Sequence, residues 1–261
     1  MNPHIKLLST DFDGTLHAEF ADPPVPARLQ ELIGQLQRQG AKWIINTGRD
    51  LPSLLEALAR ARLSVRPDYL ALVEREIYVH RGSEYVPLTD WNARCDAQHA
   101  ELFARLHADV DELRAWIEGR FDATLYADPY SPFCVIARTI EDMNAIHAFL
   151  EEFYRTAPDV AVVRNDVYLR FSHRDFNKGA ALARIAELVG ARPEEIFAAG
   201  DHHNDLPMLS RKFACLLAAP ANAVPEVKDS VRGQSGFVAE EPYGDGIVSA
   251  LEYFLNGRGS H

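Results

Sequence analysis

The chain has 261 residues, of which 47% are apolar, enough to close a hydrophobic core and too many for a disordered polymer. A formal net charge of −11 excludes broad electrostatic attraction to nucleic acid or to an anionic membrane. Cys95, Cys134 and Cys215 stand far apart, with neither metal-ligand spacing nor even pairing, so buried reduced thiols are expected.

The polar start Met1-Asn2-Pro3-His4 leads straight into a strand. No run is long and apolar enough for a signal peptide or a membrane span, which predicts a soluble cytoplasmic protein. Ile5 to Ser9 reads as that strand, ending at Thr10-Asp11. Leu29, Leu32, Ile33 and Leu36 then recur at helical spacing, and Gly40 is placed to end the helix. Trp43-Ile44-Ile45 predicts a second strand. A helix follows with Leu51, Leu54, Leu55 and Leu58 on one face, Asp50 as its N-cap and Pro52 in its first turn. Tyr69 to Val73 predicts a third strand.

In the middle of the chain Leu102, Leu106, Val110, Leu113 and Ile117 predict one long helix. Strands are expected at Ala123–Tyr126 and Phe133–Ala137, then a helix carrying Met143, Ile146, Leu150 and Phe153. Val160–Val163 and Val167–Phe171 read as a hairpin turned at Asn165-Asp166. The strand–helix rhythm then returns. Ala181, Leu182, Ile185, Leu188 and Val189 mark a helix, Ile196–Ala199 a strand and Leu206–Leu209 a short helix. Phe213–Ala218 is expected as a strand and Ile247–Leu255 as the closing helix, with Gly257 to His261 a mobile tail.

Alternation at both ends implies an α/β fold with a Rossmann-like parallel-sheet core and right-handed crossovers. The middle is a small α+β unit. It is placed as an insertion at 84–172, between core segments 1–83 and 173–261. There is no internal repeat.

Four segments carry chemistry. Asp11-Phe12-Asp13-Gly14-Thr15 follows the first strand, so both carboxylates belong in the crevice beyond the strand ends, one to attack or bind metal and one to move a proton. Thr47-Gly48-Arg49 ends the second strand, where a hydroxyl, backbone amides and a small residue suit phosphate oxygens. Asn177-Lys178-Gly179 opens a later helix, with Asn177 placed to cap it and the Lys178 ammonium available as a counter-charge to phosphate. Gly200-Asp201-His202-His203-Asn204-Asp205 follows another strand and offers oxygen ligands for a hard cation. Zinc on the adjacent histidines is the less fitting alternative, because no further ligand stands at the right spacing.

In order and spacing these segments resemble the four motifs of the haloacid dehalogenase superfamily. The resemblance covers essentially the whole chain. The insertion between the second and third motifs is similar to the α/β cap of the subclass holding Cof-type phosphatases, sucrose-phosphate phosphatase and phosphomannomutase. Thr-Gly-Arg, Asn-Lys-Gly-Ala-Ala-Leu and Glu-Ile-Tyr look closest to the sucrose-phosphatase-like branch. The chain departs from many relatives at Glu74-Arg75-Glu76, where they carry an Asn-Gly or a Gly-Thr/Ser-Glu turn.

The resemblance implies a magnesium-dependent phosphatase acting on a small phosphate monoester, with sugar phosphates the favoured class. Asp11 would attack phosphorus, and Asp13 would protonate the leaving alkoxide and then activate water. Magnesium would be held by Asp11, the backbone carbonyl of Asp13 and Asp201, with Asn204 and Asp205 in or next to the coordination shell. Thr47 and Lys178, with Gly48 and Arg49, would bind the phosphoryl group. The presence of Asp13 favours phosphatase or phosphomutase chemistry over dehalogenation. A phosphomutase of the phosphomannomutase type stays open as the alternative, and a phosphate- or metal-sensing module as the non-enzymatic one. Among Arg138, Arg164, Arg170 and Arg174, at least one is expected to reach the distal part of the substrate. The partner is a small phosphorylated molecule, not nucleic acid or membrane, and oligomeric state is not legible.

Overall fold

Apolar runs from the two ends of the chain meet in one sheet. A computed structural model describes residues 4–257; Met1–Pro3, expected to lead into the first strand, and the expected mobile tail from Arg258 lie outside the described residues. Two compact units divide the chain: one runs to Leu88 and resumes at Lys178, and the other is Thr89–Asn177.

The first unit begins with β1 (Leu7–Thr10), α1 (Ala27–Arg38), β2 (Lys42–Asn46), α2 (Leu51–Ala61) and β3 (Tyr69–Leu72), then the antiparallel β4 (Glu76–Arg81) and β5 (Glu84–Pro87). The second unit holds α3 (Thr89–Leu106), α4 (Val110–Glu118), β6 (Ala123–Asp128), β7 (Ser131–Ala137), α5 (Ile140–Phe153), β8 (Val160–Asn165) and β9 (Tyr168–His173). The first unit resumes with α6 (Lys178–Val189), β10 (Ile196–Ala199), β11 (Leu216–Ala219), α7 (Pro225–Gly233), β12 (Phe237–Val238) and α8 (Tyr243–Leu255).

Eight strands form the sheet of the first unit in the order β12-β11-β10-β1-β2-β3-β4-β5. From β12 to β3 the pairs are parallel, with β1 in register against β10 on one side and β2 on the other. Every residue of β1, β10 and β11 is buried, as a parallel strand covered on both faces requires. Leu8, Trp43, Phe197 and Phe254 pack in its core, each such side chain contributing roughly 1.5–3 kcal/mol of burial. Asp50 caps α2 by accepting from the Ser53 amide at 2.9 Å, with Pro52 in the first turn.

The second unit has a four-stranded antiparallel sheet, β6-β7-β9-β8, over its own core of Leu102, Ile117, Phe133, Ile146 and Phe171. Arg138 pairs with Asp122, Arg164 reaches Asn144, and Arg174 binds the Val160 carbonyl, leaving Arg170 as the buried one of the four arginines.

Several expected elements are corrected. Glu84–Pro87 pairs with β4 and so belongs to the core sheet, while residues 173–177 go with the insertion. The long middle helix is two helices. Asp109 accepts from the Tyr154 hydroxyl at 3.0 Å and its amide bonds back to Leu106, so the chain turns there and both Leu106 and Leu113 stay buried. Leu206–Leu209 is a turn after a 3₁₀ segment at His203–Asp205, because Pro207 has no N–H and the amides of Met208 and Leu209 both return to Asp205. The strand expected from Phe213 starts at Leu216, since the Phe213 and Ala214 amides close a turn on Ser210. Cys95 and Cys134 are buried free thiols, but Cys215 is only partly buried.

Candidate active site

The chain leaves β1 toward β2 and later returns on the opposite side at β10, so strand order reverses beside β1. Beyond the carboxyl ends of strands at such a reversal lies the natural ligand crevice of an open α/β sheet. Asp11 directly follows β1, Thr47 directly follows β2, and Asp201 stands just past β10. Lys178 is the first residue of α6. Its position is pinned: the Asn46 amide at the end of β2 donates to the Lys178 carbonyl at 2.9 Å. Any Cβ on the next residue, Gly179, would collide with the Pro207 carbonyl, so only glycine lets α6 start this close.

The Lys178 ammonium is fully buried and donates to Asp11 Oδ1 at 2.7 Å and to Asp205 Oδ1 at 2.6 Å. Asp205 Oδ2 accepts from the amides of Asp201 and His202 at 2.8 and 2.9 Å, so this carboxylate organises its own loop. The Thr15 hydroxyl donates to Asp201 Oδ1 at 2.6 Å. Gly14 has φ +79° and passes so close to Asp201 that a Cβ would strike its carboxylate.

One oxygen from each of Asp11, Asp201 and Asp205 lies within 4.8 Å of the others, and among the described residues this is the one acidic or histidine group that converges so. Burial pushes the Asp11 carboxyl well above its ordinary range, with Lys178 only partly offsetting it. Burial and then Asp205 push Asp201 up to about 7. Burial works to lower Lys178, but Asp11, Asp205 and Glu74 outweigh it and hold the ammonium above the usual lysine range. One ammonium therefore serves three crowded carboxylates, and the cluster is short of positive charge. Oxygen-only donors with that deficit fit a hard divalent cation such as magnesium. His202 and His203 do not belong to this group, so the histidine pair of the zinc alternative does not converge with these carboxylates.

Asp13 sits apart from this cluster. Arg49 grips it with both prongs, Nε to Oδ2 at 2.6 Å and Nη2 to Oδ1 at 2.7 Å, while Nη1 donates to Ser53 at 3.1 Å. Arg49, expected among the phosphate-binding residues, is thus occupied by Asp13. His17, which sequence reasoning missed, stacks on Phe12 and places Nδ1 3.8 Å from Asp13. Thr47 is buried, and its Oγ1 accepts from the Arg49 amide at 3.2 Å. Gly48 lies against Glu74. Asn204 donates to Glu74 Oε1 at 2.8 Å. Glu74 is a buried participant that only the departure from the usual small turn residues signalled. Asn177 donates to the Arg174 carbonyl at 2.9 Å.

Residues 4–255 match the family model described as sucrose-6F-phosphate phosphohydrolase. A 5-amino-6-(5-phospho-D-ribitylamino)uracil phosphatase of Bacillus subtilis is 24% identical, covering 96% of this chain and 96% of its own. A phosphoglycolate phosphatase of Staphylothermus marinus is 22% identical over 97% of this chain and 98% of its own. Among solved structures, a sucrose-phosphatase from Synechocystis in complex with sucrose and phosphate superposes with a TM-score of 0.72 at 20% identity, covering 97% of this chain and 98% of that one.

Proposed function

The chain belongs to the sucrose-6F-phosphate phosphohydrolase family within the haloacid dehalogenase superfamily and is a phosphoric monoester hydrolase; from that premise we propose that it is a magnesium-dependent phosphatase working through an aspartyl-phosphate on Asp11. The observation that carries this reading is the buried Asp11–Lys178–Asp205 triad beside Asp201. Asp11, Asp201 and the Asp13 carbonyl would hold magnesium, with Asn204 and Asp205 next to it; when bound, the cation screens Asp11 from the anionic phosphate and stabilises charge on the phosphoryl oxygens.

The chain's own residues supply the rest. Lys178 binds a phosphoryl oxygen and keeps Asp11 aimed, and Thr47 and the Gly48 backbone hold the others. Asp11 forms a bond to phosphorus as the bond to the substrate oxygen breaks, and Asp13 delivers its proton to that leaving oxygen. Water then attacks phosphorus, Asp13 takes the proton, and the bond to Asp11 breaks to release phosphate. For either transfer Arg49 yields one Asp13 oxygen, so Arg49 governs when Asp13 is available. The 89–177 unit takes the role of the inserted α/β unit that sets substrate specificity.

Sugar phosphates or similarly small polyhydroxylated monoesters are the substrate class we infer, supported by the sucrose-phosphate and ribityl-phosphate relatives, whereas the phosphoglycolate phosphatase acts on a smaller, carboxylated ester. No helix of the described residues is long and apolar enough to cross a membrane, and a cytoplasmic setting is the one we infer. Phosphate release from a panel of monoesters, with and without magnesium, tests the proposal. Metal-dependent release lost in Asp11→Asn is expected; isomerised sugar phosphate without release would point to a phosphomutase instead.

A further inference from the structure

The turn between β3 and β4 holds an unusual backbone. Val73 and Glu74 are consecutive, neither is glycine, and both lie in the left-handed region at φ +44° and +68°. A β-branched residue there is a genuine outlier, and strain of this kind persists only where its surroundings enforce it. They do here. The Val73 amide donates to the Arg49 carbonyl at 3.0 Å and the Glu74 amide to the Thr47 carbonyl at 2.9 Å, clipping the turn onto the Thr47-Gly48-Arg49 segment. Glycine at position 74 would adopt the same φ without strain, so the side chain is what the position retains.

That side chain is buried, 6% exposed, beside Gly48. Its Oε1 accepts from Asn204 Nδ2 at 2.8 Å. A carboxylate oxygen only accepts, so the amide NH₂ of Asn204 must face Glu74 and the amide oxygen must face away. Asn204 Oδ1 is indeed buried without a hydrogen-bond partner among the described residues. A buried acceptor of this kind calls for a donor or a cation. Phosphoryl oxygens are acceptors themselves and do not suit it, whereas a hard cation or the waters around one do.

We propose that Glu74 is a positioning residue that locks the Asn204 carboxamide with its oxygen outward, making Asn204 an acceptor for the cation held by Asp11 and Asp201, or for one of that cation's waters, rather than a donor to phosphate. The proposal rests on the metal-dependent reading above. It also explains why this chain keeps a strained glutamate where glycine would be at ease.

Titration of magnesium into the metal-free full-length protein, followed calorimetrically, tests it. Glu74→Ala and Glu74→Gly should weaken magnesium binding by roughly 10–100-fold, the usual effect of removing a partner that orients a metal ligand. Glu74→Gln, whose amide oxygen still accepts from Asn204, should stay close to native. Asn204→Ala should lose the same factor as Glu74→Ala, and the double variant should lose no more than either. Metal-free Glu74→Gly should melt no lower than the native protein, because glycine relieves the backbone, and that outcome separates positioning from mere folding support. At saturating magnesium, inorganic phosphate should bind the Glu74 variants as it binds the native protein. Unchanged magnesium affinity in Glu74→Ala and Glu74→Gly, or losses that multiply in the double variant, would overturn the proposal alone. A native protein that binds no magnesium would overturn it together with the metal-dependent reading.

Discussion

Asp11 and Asp13 are two residues apart in sequence and occupy opposite environments. Asp11 is almost wholly buried against a fully buried lysine, whereas the Asp13 side chain is 44% exposed and is gripped by an arginine that is itself 31% exposed. In the proposed mechanism, environment rather than residue type separates Asp11, the nucleophile held beside Lys178, from Asp13, the proton carrier that must exchange with substrate and water. A buried charge network is costly to break, and a half-exposed pair is not.

The sharpest way to break this contrast is Lys178→Met. It leaves Asp11 and Asp205 without their shared counter-charge, so we expect a stability loss of about 3–5 kcal/mol in denaturant unfolding and a fall in turnover of roughly 10²–10³-fold. Asp13→Asn should act on the other side of the contrast. Its turnover should fall by roughly 10²–10⁴-fold, with unfolding free energy within about 1 kcal/mol of native.

The acidic cluster gives a pH signature. Asp201 carries a folded-state pKa pushed up to about 7 from an ordinary 3.8, so the folded metal-free protein binds more protons than the unfolded chain between those values. Stability of the metal-free protein should therefore fall as pH rises through that window. Magnesium, which replaces the proton, should raise the melting temperature more at pH values above the window than below it. Equal stabilisation at both ends would speak against a cation at this cluster. The smallest effect is expected from Arg49→Lys, which removes the fork geometry but keeps the charge: stability should move by less than about 1 kcal/mol, and turnover should change far less than in Asp13→Asn.

Legibility in the sequence followed the same division. Strands that end in chemistry were readable because β1, β2 and β10 are short apolar runs stopped by polar residues, and Asp11, Thr47, Lys178 and Asp201 stand where those runs or the next helix place them. What the motifs hid was how the polar groups pair. Arg49 looked like a phosphate ligand and is bound to Asp13, because reach across 36 positions of sequence is set by tertiary packing. Glu74 was visible only as a charged residue in a turn, since positive φ and a contact to Asn204 leave no local pattern. In the inserted unit, helical periodicity ran unbroken through Leu106 and Leu113, and only the Tyr154–Asp109 bond shows why the helix divides there. β4 and the edge strand β5 carry a weaker apolar signal than the central strands because both are half-exposed, so neither is legible in the sequence.

The central claim is that Asp11 is phosphorylated during turnover. Native protein and Asp11→Asn should each be mixed with magnesium and a readily cleaved aryl phosphate, quenched in acid within one turnover and weighed intact. We expect native protein to gain the mass of one phosphoryl group, labile to hydroxylamine and mapping to the peptide containing Asp11, and Asp11→Asn to gain none. Native turnover with no trapped phosphoryl group, or a label that persists in Asp11→Asn, would contradict the assignment of Asp11 as the nucleophile.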